Sequence, residues 1–544
     1  MYKKKIASCI LLGAGAVVAS TSSWAAEVPA GTKLAKVQEL VRGNRAEPAT
    51  LDPDLIEGIP GANVANDLFE GLVTLDANGN TIPGVASSWE TKDNKTYIFH
   101  LRKNAKWSNG KPVTAQDFVF SLRRAVDPAT ASPYSWYLEE SNIANASEII
   151  DGKKDKDTLG VKALNAHTLE ITLASPLPYF VKMLVNSVMM PVYPPAIKKW
   201  GDKWTQPSHM VSNGAYELEK RVVGGRIVLK RNPYYWNNKN TVINKVTYVS
   251  DTEQTSAMNR FLAGEEQMTY SMPIDQFKRL QKEHPQDVKT TGSLAVYYYG
   301  LNNTKKPFND VRVRKAISYA IDRDIITKSI LGQGQIPAYN LTPDIVAGFT
   351  PITPNWEKMS QEERVEKAKA FLKAAGYDKA HPLSFSLLYN TSGNNKKIAT
   401  AIQAMLKQEL DVHVTLVNQE WKTYLQTLSQ GDFIAARQSW FGDYNEPSTF
   451  LNLMTTSNAE NDSKYHNSQY DALISKAMTV TNDAERNKLY HQAEQLLARD
   501  MPVAPIYQYV TARLVSPSIG GYPMHNAQDY IYTKNLYIKA KQSS

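Results

Sequence analysis

The chain has 544 residues, a formal net charge of +9 at pH 7 and a single cysteine, Cys9. Its lysines and arginines are scattered among acidic residues, so the charge predicts a solvated surface and no nucleic-acid partner. A chain of this length can bury the cores of about two to four domains.

The first 25 residues have the pattern of a cleaved secretory signal peptide. Lysines at positions 3–5 precede an apolar run over positions 6–20, and small residues follow before Ala26. The run is too short to remain as a membrane anchor. Cys9 lies near its start, whereas a lipid-anchored cysteine would stand at its end, so an exported chain without a lipid anchor is predicted. The mature chain then has no cysteine, which excludes disulfides, thiol catalysis and cysteine-bound metals.

Alternating apolar residues predict strands in the first half of the chain, at positions 96–101, 161–185, 226–229 and 242–249. In the second half, two helices are marked by their caps. Ser360 and Glu363 form a capping box that predicts a helix ending near Gly376. Asn482 caps another predicted helix, which ends at about Arg499.

Between these two helices the sequence predicts a β-α-β-α-β run. Strands are expected at positions 382–389, 412–417 and 433–440, with helices at 394–410 and 420–428. Strands that are connected by helices usually run parallel in one sheet, so the predicted fold class is α/β.

The third of these strands leads into a turn and carries two opposite charges, Arg437 and Asp443. Because side chains alternate between the faces of a strand, Arg437, Ser439, Phe441 and Asp443 would share one face. That face suits a zwitterionic peptide, whose backbone could pair with the strand whatever its sequence. An extended strand separates the two charges by ~20 Å, about twice the length of a tripeptide, so Arg437 would have to reach inward.

Sequence motifs of catalysis are missing. There is no phosphate loop ending in GK[ST], no GxSxG and no HExxH, and the nine histidines are dispersed. No catalytic residue, metal site or cofactor is therefore assigned, and the chain is not predicted to be an enzyme. A secreted hydrolase is kept as an alternative, because glycosidase-type carboxylates need no local motif.

Longer motifs, spread over nearly the whole mature chain, resemble one family. They are DLFEGL (67–72), PGVASSW (83–89), YIFHLRK (97–103), AKWSNGKPVTAQDFVFS (105–121), NGAY (213–216), PFNDVRVR (307–314), AIDRD (320–324) and NQEWK (418–422). On these motifs the chain resembles periplasmic oligopeptide-binding proteins, the solute receptors of ABC importers.

The resemblance implies a two-lobed α/β binding protein with an additional smaller domain and a ligand enclosed between the lobes. Lobe I would combine residues 26–69, 193–294 and 510–544, and lobe III would span 295–509. The smaller domain II would be an insertion at 70–192. The ligand would lie between lobes I and III, which close over it by a hinge.

The resemblance also implies a set of site residues. Asp443 matches the family's carboxylate for the peptide α-ammonium, and Arg437 matches an arginine for the peptide carboxylate. Trp421, Trp440, Tyr134 and Tyr298 match positions that line side-chain pockets, and Glu57, Gly58 and Ile59 match a facing loop whose backbone closes the ligand's other edge. By strand alternation Trp440 and Phe441 point in opposite directions, so at most one faces the ligand squarely.

Several positions depart from the family. Leu331, Asn395 and Leu428 replace basic residues that help to bind carboxylates of peptides of different lengths, and Gly300 replaces a pocket glutamate. Phe441 and Ala295 stand where the oligopeptide receptor has two cysteines. We therefore expect a more apolar cleft and weaker recognition of the ligand's C-terminal end.

The predicted function is an extracytoplasmic receptor that captures short peptides through backbone and terminal-charge contacts. It would work in the periplasm as a monomer and deliver its ligand to an inner-membrane ABC permease with ATPase subunits. A specialised murein-peptide receptor is the alternative within this class, because cell-wall peptides carry unusual charges.

Overall fold

The computed structural model describes residues 26–540, except for the side chains of Trp421 and Lys422. The predicted signal peptide at positions 1–25 lies outside the described residues. No helix within the described part of the chain is long and apolar enough to cross a membrane.

The strands are numbered in chain order. They are β1 Glu39–Gly43, β2 Val73–Leu75, β3 Thr81–Pro83, β4 Ala86–Thr91, β5 Thr96–Leu101, β6 Val161–Asn165, β7 Thr168–Thr172, β8 Tyr216–Val222, β9 Arg226–Arg231, β10 Lys245–Val249, β11 Val288–Leu301, β12 Ile336–Pro337, β13 Ser384–Asn390, β14 His413–Gln419, β15 Ala435–Phe441, β16 Val503–Leu514, β17 Ile519–Gly520 and β18 Tyr537–Ile538.

The α-helices are numbered in the same way. They are α1 Ile59–Leu68, α2 Ala115–Val126, α3 Ser135–Glu140, α4 Ala146–Ile150, α5 Phe180–Met183, α6 Pro194–Trp200, α7 Gln254–Leu262, α8 Phe277–Glu283, α9 Val311–Ala320, α10 Gln361–Ala374, α11 Gly393–Leu410, α12 Trp421–Ser429, α13 Ser448–Leu451, α14 Ser468–Thr479 and α15 Asp483–Asp500.

Three larger sheets organise the molecule. One has the order β1-β10-β9-β8 and another the order β4-β5-β7-β6. The third has six strands in the order β12-β16-β11-β15-β13-β14. The first sheet falls within predicted lobe I, and the second falls within the predicted insertion.

Two long strands, β11 and β16, span the boundary between predicted lobe I and predicted lobe III. They pair in two stretches, with Gly292 opposite Val510 and then Val296 opposite Gln508, and the register is irregular between these pairs. The predicted lobe boundaries, 294/295 and 509/510, lie at this irregularity. The first stretch packs on α7 and α8, while the second enters the cores on both faces of the six-stranded sheet.

The predicted β-α-β-α-β run is confirmed as β13, α11, β14, α12 and β15. Strand β13 pairs in parallel with both β14 and β15. The capping box of α10 is also confirmed, because the Ser360 N–H donates to Glu363 at 2.8 Å and the Glu363 N–H donates to Ser360 at 3.2 Å. Helix α10 ends two residues before Gly376, whose φ of +90° suits glycine.

One predicted strand region is wrong in its second half. The segment 161–185 holds β6 and β7 only up to Thr172, and α5 follows at Phe180–Met183. Pro176 and Pro178 lie between them, and proline cannot donate a hydrogen bond to a sheet.

Candidate ligand-binding site

Strand β15 has one paired edge and one largely open edge. It pairs with β11 along its whole length, from Ala435 opposite Leu301 to Phe441 opposite Ala295. It pairs with β13 only at Ala435 and Ala436. Beyond Ala436, no described strand occupies that second edge, so its backbone groups are available to an extended ligand.

The two faces of β15 have different surroundings. On one face, the guanidinium carbon of Arg437 lies 4.7 Å from the centre of the Tyr297 ring, and the ring of Phe441 lies 4.9 Å from that of Tyr509. On the other face, Trp440 packs on an apolar cluster that includes Tyr298. The prediction that Trp440 and Phe441 point in opposite directions is confirmed. Ser439 lies opposite Tyr297 and is partly exposed.

Asp443 does not lie on the strand, which corrects the expectation that it shares a face with Arg437. Strand β15 ends at Phe441, and Gly442 turns the chain while its N–H donates to the Leu294 carbonyl at 2.7 Å. A Cβ at position 442 would lie 2.8 Å from the Leu294 side chain, so only glycine fits there without a shift. The turn ends with the Asp443 N–H donating to Thr449 Oγ1 at 3.1 Å.

The Asp443 carboxylate receives two neutral hydrogen bonds and no ion pair from the described residues. Asn186 Nδ2 donates to Oδ1 at 3.2 Å, and the Tyr134 hydroxyl lies 3.5 Å from the same oxygen. Both partners come from the predicted insertion. The Asp443 carbonyl accepts from Gln528 Nε2 at 3.1 Å.

The surroundings of Asp443 favour a positive ligand. Burial raises its pKa to about 8, with nearby Glu140 and Glu460 adding to the shift, while Tyr134 and Asn186 oppose it. Glu140 is itself held by the Tyr444 hydroxyl at 3.2 Å and by Asn452 Nδ2 at 2.8 Å. A cation at this point would compensate the negative charges and lower the pKa of Asp443.

Arg437 is the corresponding unpaired cation. Its side chain is buried, Nη2 donates to the Tyr509 hydroxyl at 2.8 Å and Nη1 donates to Asn390 Oδ1 at 3.3 Å. No acceptor within the described residues reaches its Nε, and no described carboxylate forms an ion pair with it. A buried guanidinium without an anion is ready to bind a carboxylate.

The loop that the resemblance places at the ligand's other edge, residues 57–59, lies at the start of α1. Glu57 is exposed, Gly58 precedes the helix with a φ of +96°, and Ile59 is the first helical residue. The positive φ requires glycine at position 58. Trp421 begins α12, but its side chain lies outside the described residues.

The three positions at which the resemblance predicts a lost basic residue, Leu331, Asn395 and Leu428, are buried. Leu331, the last residue of the π-helical segment Ile325–Leu331, and Leu428 pack in apolar clusters. Asn395 accepts from the Tyr297 hydroxyl at 3.4 Å and donates to Asn390 Oδ1 at 2.9 Å. Asn390 also accepts from Arg437, so Asn395 helps to orient the guanidinium without adding charge.

Sequence reasoning missed Asn186, Glu140, Glu460 and Gln528. None of them lies in a motif, and three come from segments far from β15 in the chain. Glu460 alone is near in sequence, but nothing local marks it as part of the site. In the part of the chain that is described, no three histidine, cysteine or acidic side chains are arranged to hold a metal ion.

The open strand edge, the two unpaired charges and the pair of crossing strands define a two-lobed α/β solute-binding protein. A family model described as "Bacterial extracellular solute-binding proteins, family 5 Middle" matches residues 80–462. The chain belongs to this family, whose members are solute receptors.

Curated relatives cover nearly the whole chain. The periplasmic oligopeptide-binding protein OppA of Salmonella typhimurium is 50% identical over 537 residues, which span 98% of each chain. The periplasmic murein peptide-binding protein MppA of Escherichia coli is 46% identical over 537 residues, which span 99% of each chain.

Solved structures agree with the fold. The structure of Escherichia coli MppA has a TM-score of 0.87 and covers 94% of this chain and 100% of its own. The unliganded open form of MppA is 46% identical to this chain and has a TM-score of 0.78. The match covers 94% of this chain and 99% of that one. Haemophilus influenzae OppA in complex with RPPGFSPFR is 43% identical and has a TM-score of 0.84. The match covers 93% of this chain and 100% of that one.

Proposed function

We propose that this chain is a periplasmic receptor for short peptides that lie extended along the open edge of β15. The observation that carries the proposal is the pair of unpaired charges near the two ends of that edge. The carboxylate of Asp443 would bind the α-ammonium, and the guanidinium of Arg437 would bind the α-carboxylate. Backbone pairing between them would accept any side-chain sequence.

Binding of the peptide α-ammonium at Asp443 is favoured on energetic grounds. A buried carboxylate without a cation is costly, and here Glu140 and Glu460 increase the cost. An ammonium brings one compensating charge and several hydrogen-bond donors, which the present partners Asn186 and Tyr134 do not supply in full. An N-acetylated peptide would bring neither.

The fixed position of Arg437 limits the length of a peptide whose α-carboxylate it can bind. Arg437 is fixed by Tyr297, Tyr509 and Asn390, so its position on the strand is defined. Leu331 and Leu428 add no second cation nearby. A peptide whose carboxylate extends beyond Arg437 would lose this charged contact, which is why we propose short peptides as the ligands.

Side-chain pockets would lie on both faces of β15. Ser439 and Phe441 would flank the ligand on the face of Arg437, while Trp440 and Tyr298 would line the opposite face. Tyr134 reaches the site from the insertion, and the backbone of Glu57, Gly58 and Ile59 would cover the other edge of the ligand. Trp421 is assigned to a pocket on the family resemblance.

Uptake requires partners in the membrane. We propose that the loaded receptor acts as a monomer, without catalysis or cofactor, and delivers its peptide to an inner-membrane ABC permease and its ATPase subunits. Lobe I (26–69, 193–294, 510–544), domain II (70–192) and lobe III (295–509) are proposed as the moving bodies, with the hinge at the β11/β16 irregularity.

A murein-peptide receptor is the second candidate, supported by the likeness to MppA and by the loss of basic residues at positions 331, 395 and 428. The relatives named for oligopeptides are at least as similar, so the general peptide receptor is the main proposal.

The experiment is to incubate the purified mature chain with a mixture of random short peptides and to analyse bound and unbound peptides by mass spectrometry. We expect recovery of intact, bound peptides with free N-termini. Cleaved products would instead support a hydrolase, and recovery of murein peptides only, when these are added in competition, would favour the second candidate.

A further inference from the structure

A second group of acceptors, which forms no ion pair among the described residues, lies around Gln438, on the face of β15 opposite to Arg437. The Gln438 side chain is 6% exposed, and its Nε2 donates to Asp462 Oδ2 at 2.9 Å. Among the described residues, none donates to its Oε1. This amide oxygen occupies space that Gly300 leaves open, because a Cβ at position 300 would lie 2.4 Å from it.

Two carboxylates accompany this amide. Glu460 receives no hydrogen bond to its side chain within residues 26–540, and neither Glu460 nor Asp462 forms an ion pair there. Burial and the neighbouring Glu460 raise the pKa of Asp462 to about 7, while Lys464 opposes the shift without pairing. Burial and Glu57 raise the pKa of Glu460.

The group adjoins the ammonium site. Gln438 lies directly opposite Tyr298 on β11, on the same face as Trp440. Glu460 lies close enough to Asp443 and to Tyr134 to raise the pKa of both. The acceptors therefore border the cleft that holds the N-terminal end of the ligand.

We infer that Gln438, Asp462 and Glu460 form a subsite for a positively charged side chain of the bound peptide. The inference rests on the proposed peptide-binding function. Among the described residues, Gln438 Oε1 and the Glu460 carboxylate receive no donor, and the Asp462 carboxylate accepts only from Gln438. A lysine ammonium or an arginine guanidinium, which carry only donors, would match this group. An apolar side chain in the same place would leave the buried Gln438 Oε1 and the two partly buried carboxylates without this donor.

The test uses the mature chain, refolded after removal of bound ligand, and titration calorimetry with tripeptides. Starting from Ala-Ala-Ala, each position in turn carries either lysine or norleucine, which has the same carbon chain without the ammonium. We expect lysine to bind about tenfold more tightly than norleucine at one position and about equally at the others.

Variants connect this preference to the subsite. Asp462→Asn should bring the lysine-to-norleucine ratio close to one while Ala-Ala-Ala still binds. Gln438→Met, which removes the amide oxygen and keeps a side chain of similar length, serves the same purpose if the first variant does not fold. Asp432→Asn, which changes an exposed aspartate on the loop before β15, is the matched control and should keep the ratio.

Two outcomes would overturn the subsite: a ratio near one at every position in the wild type, or a preference for lysine that both variants keep. In either case Ala-Ala-Ala would still bind. Failure of every tripeptide, Ala-Ala-Ala included, would instead overturn the proposed function on which the subsite rests.

Discussion

At the scale of single residues, the site depends on charges that the protein leaves unpaired. Replacing Asp443 with asparagine keeps the shape and removes the charge. We expect peptide affinity to fall about 100-fold, because the ligand ammonium would then be buried without a counterion. Calorimetry with a free tripeptide measures the loss, with Asp432→Asn as the control.

The same substitution should not weaken the fold. Asp443→Asn removes a buried carboxylate that has no cation, so the unliganded variant should unfold at a temperature no lower than the wild type at pH 8. Unchanged affinity, or loss of affinity together with a clear loss of thermal stability, would contradict the assignment of Asp443 as a binding residue.

Ligand binding should release a proton from Asp443. In the free protein its pKa is raised to about 8, so the carboxyl is mostly protonated at pH 6.5, and an ammonium binds its deprotonated form. Affinity should therefore rise with pH up to about 8 and fall above it, as the peptide amine (pKa ~7.7–8.0) loses its own proton. Calorimetry at pH 6.5 in two buffers of different ionisation heat counts the protons, and a count near zero would contradict the prediction.

At the scale of elements, we propose that the open edge of β15 pairs with the ligand backbone. In a β-ladder the backbone groups of a strand point alternately toward and away from one neighbour. We therefore expect N-methylation of a peptide ligand to weaken binding about tenfold at alternate positions and little at the others. A uniform effect along the peptide would indicate binding by the termini alone.

At the scale of the whole molecule, the irregularity between Gly292 and Val296 lies at the proposed hinge between lobes I and III, which we propose the ligand brings together. Residues of the proposed insertion contact the Asp443 loop: Tyr134 and Asn186 reach Asp443, and Lys182 Nζ donates to the Asn445 carbonyl at 3.1 Å. We expect the radius of gyration, measured by small-angle X-ray scattering, to decrease when a free tripeptide is added. The N-acetylated tripeptide is the control and should leave it unchanged, whereas equal compaction by both would mean that the ammonium does not drive closure.

The parts of the fold that were predictable depend on short-range patterns. Caps such as Ser360 with Glu363, and the alternation along β15, are properties of a few consecutive residues. The prediction for 161–185 is wrong beyond Thr172 because two prolines ended the sheet. Asp443 was misplaced for a different reason, because the chain turns at Gly442, which packs against Leu294 from a distant strand.

Patterns within the sequence were enough to predict the α/β class, the family and the two charged residues that we propose as the ends of the ligand site. Three-dimensional packing was needed to show that these charges lack counterions among the described residues, that Asn186 and Gln528 hold Asp443, and that Gln438 fills the space beside Gly300. Periodicity and capping are written within one turn or strand, whereas an unpaired charge depends on everything packed around it. Those neighbours come from segments up to hundreds of residues apart, which only folding brings together.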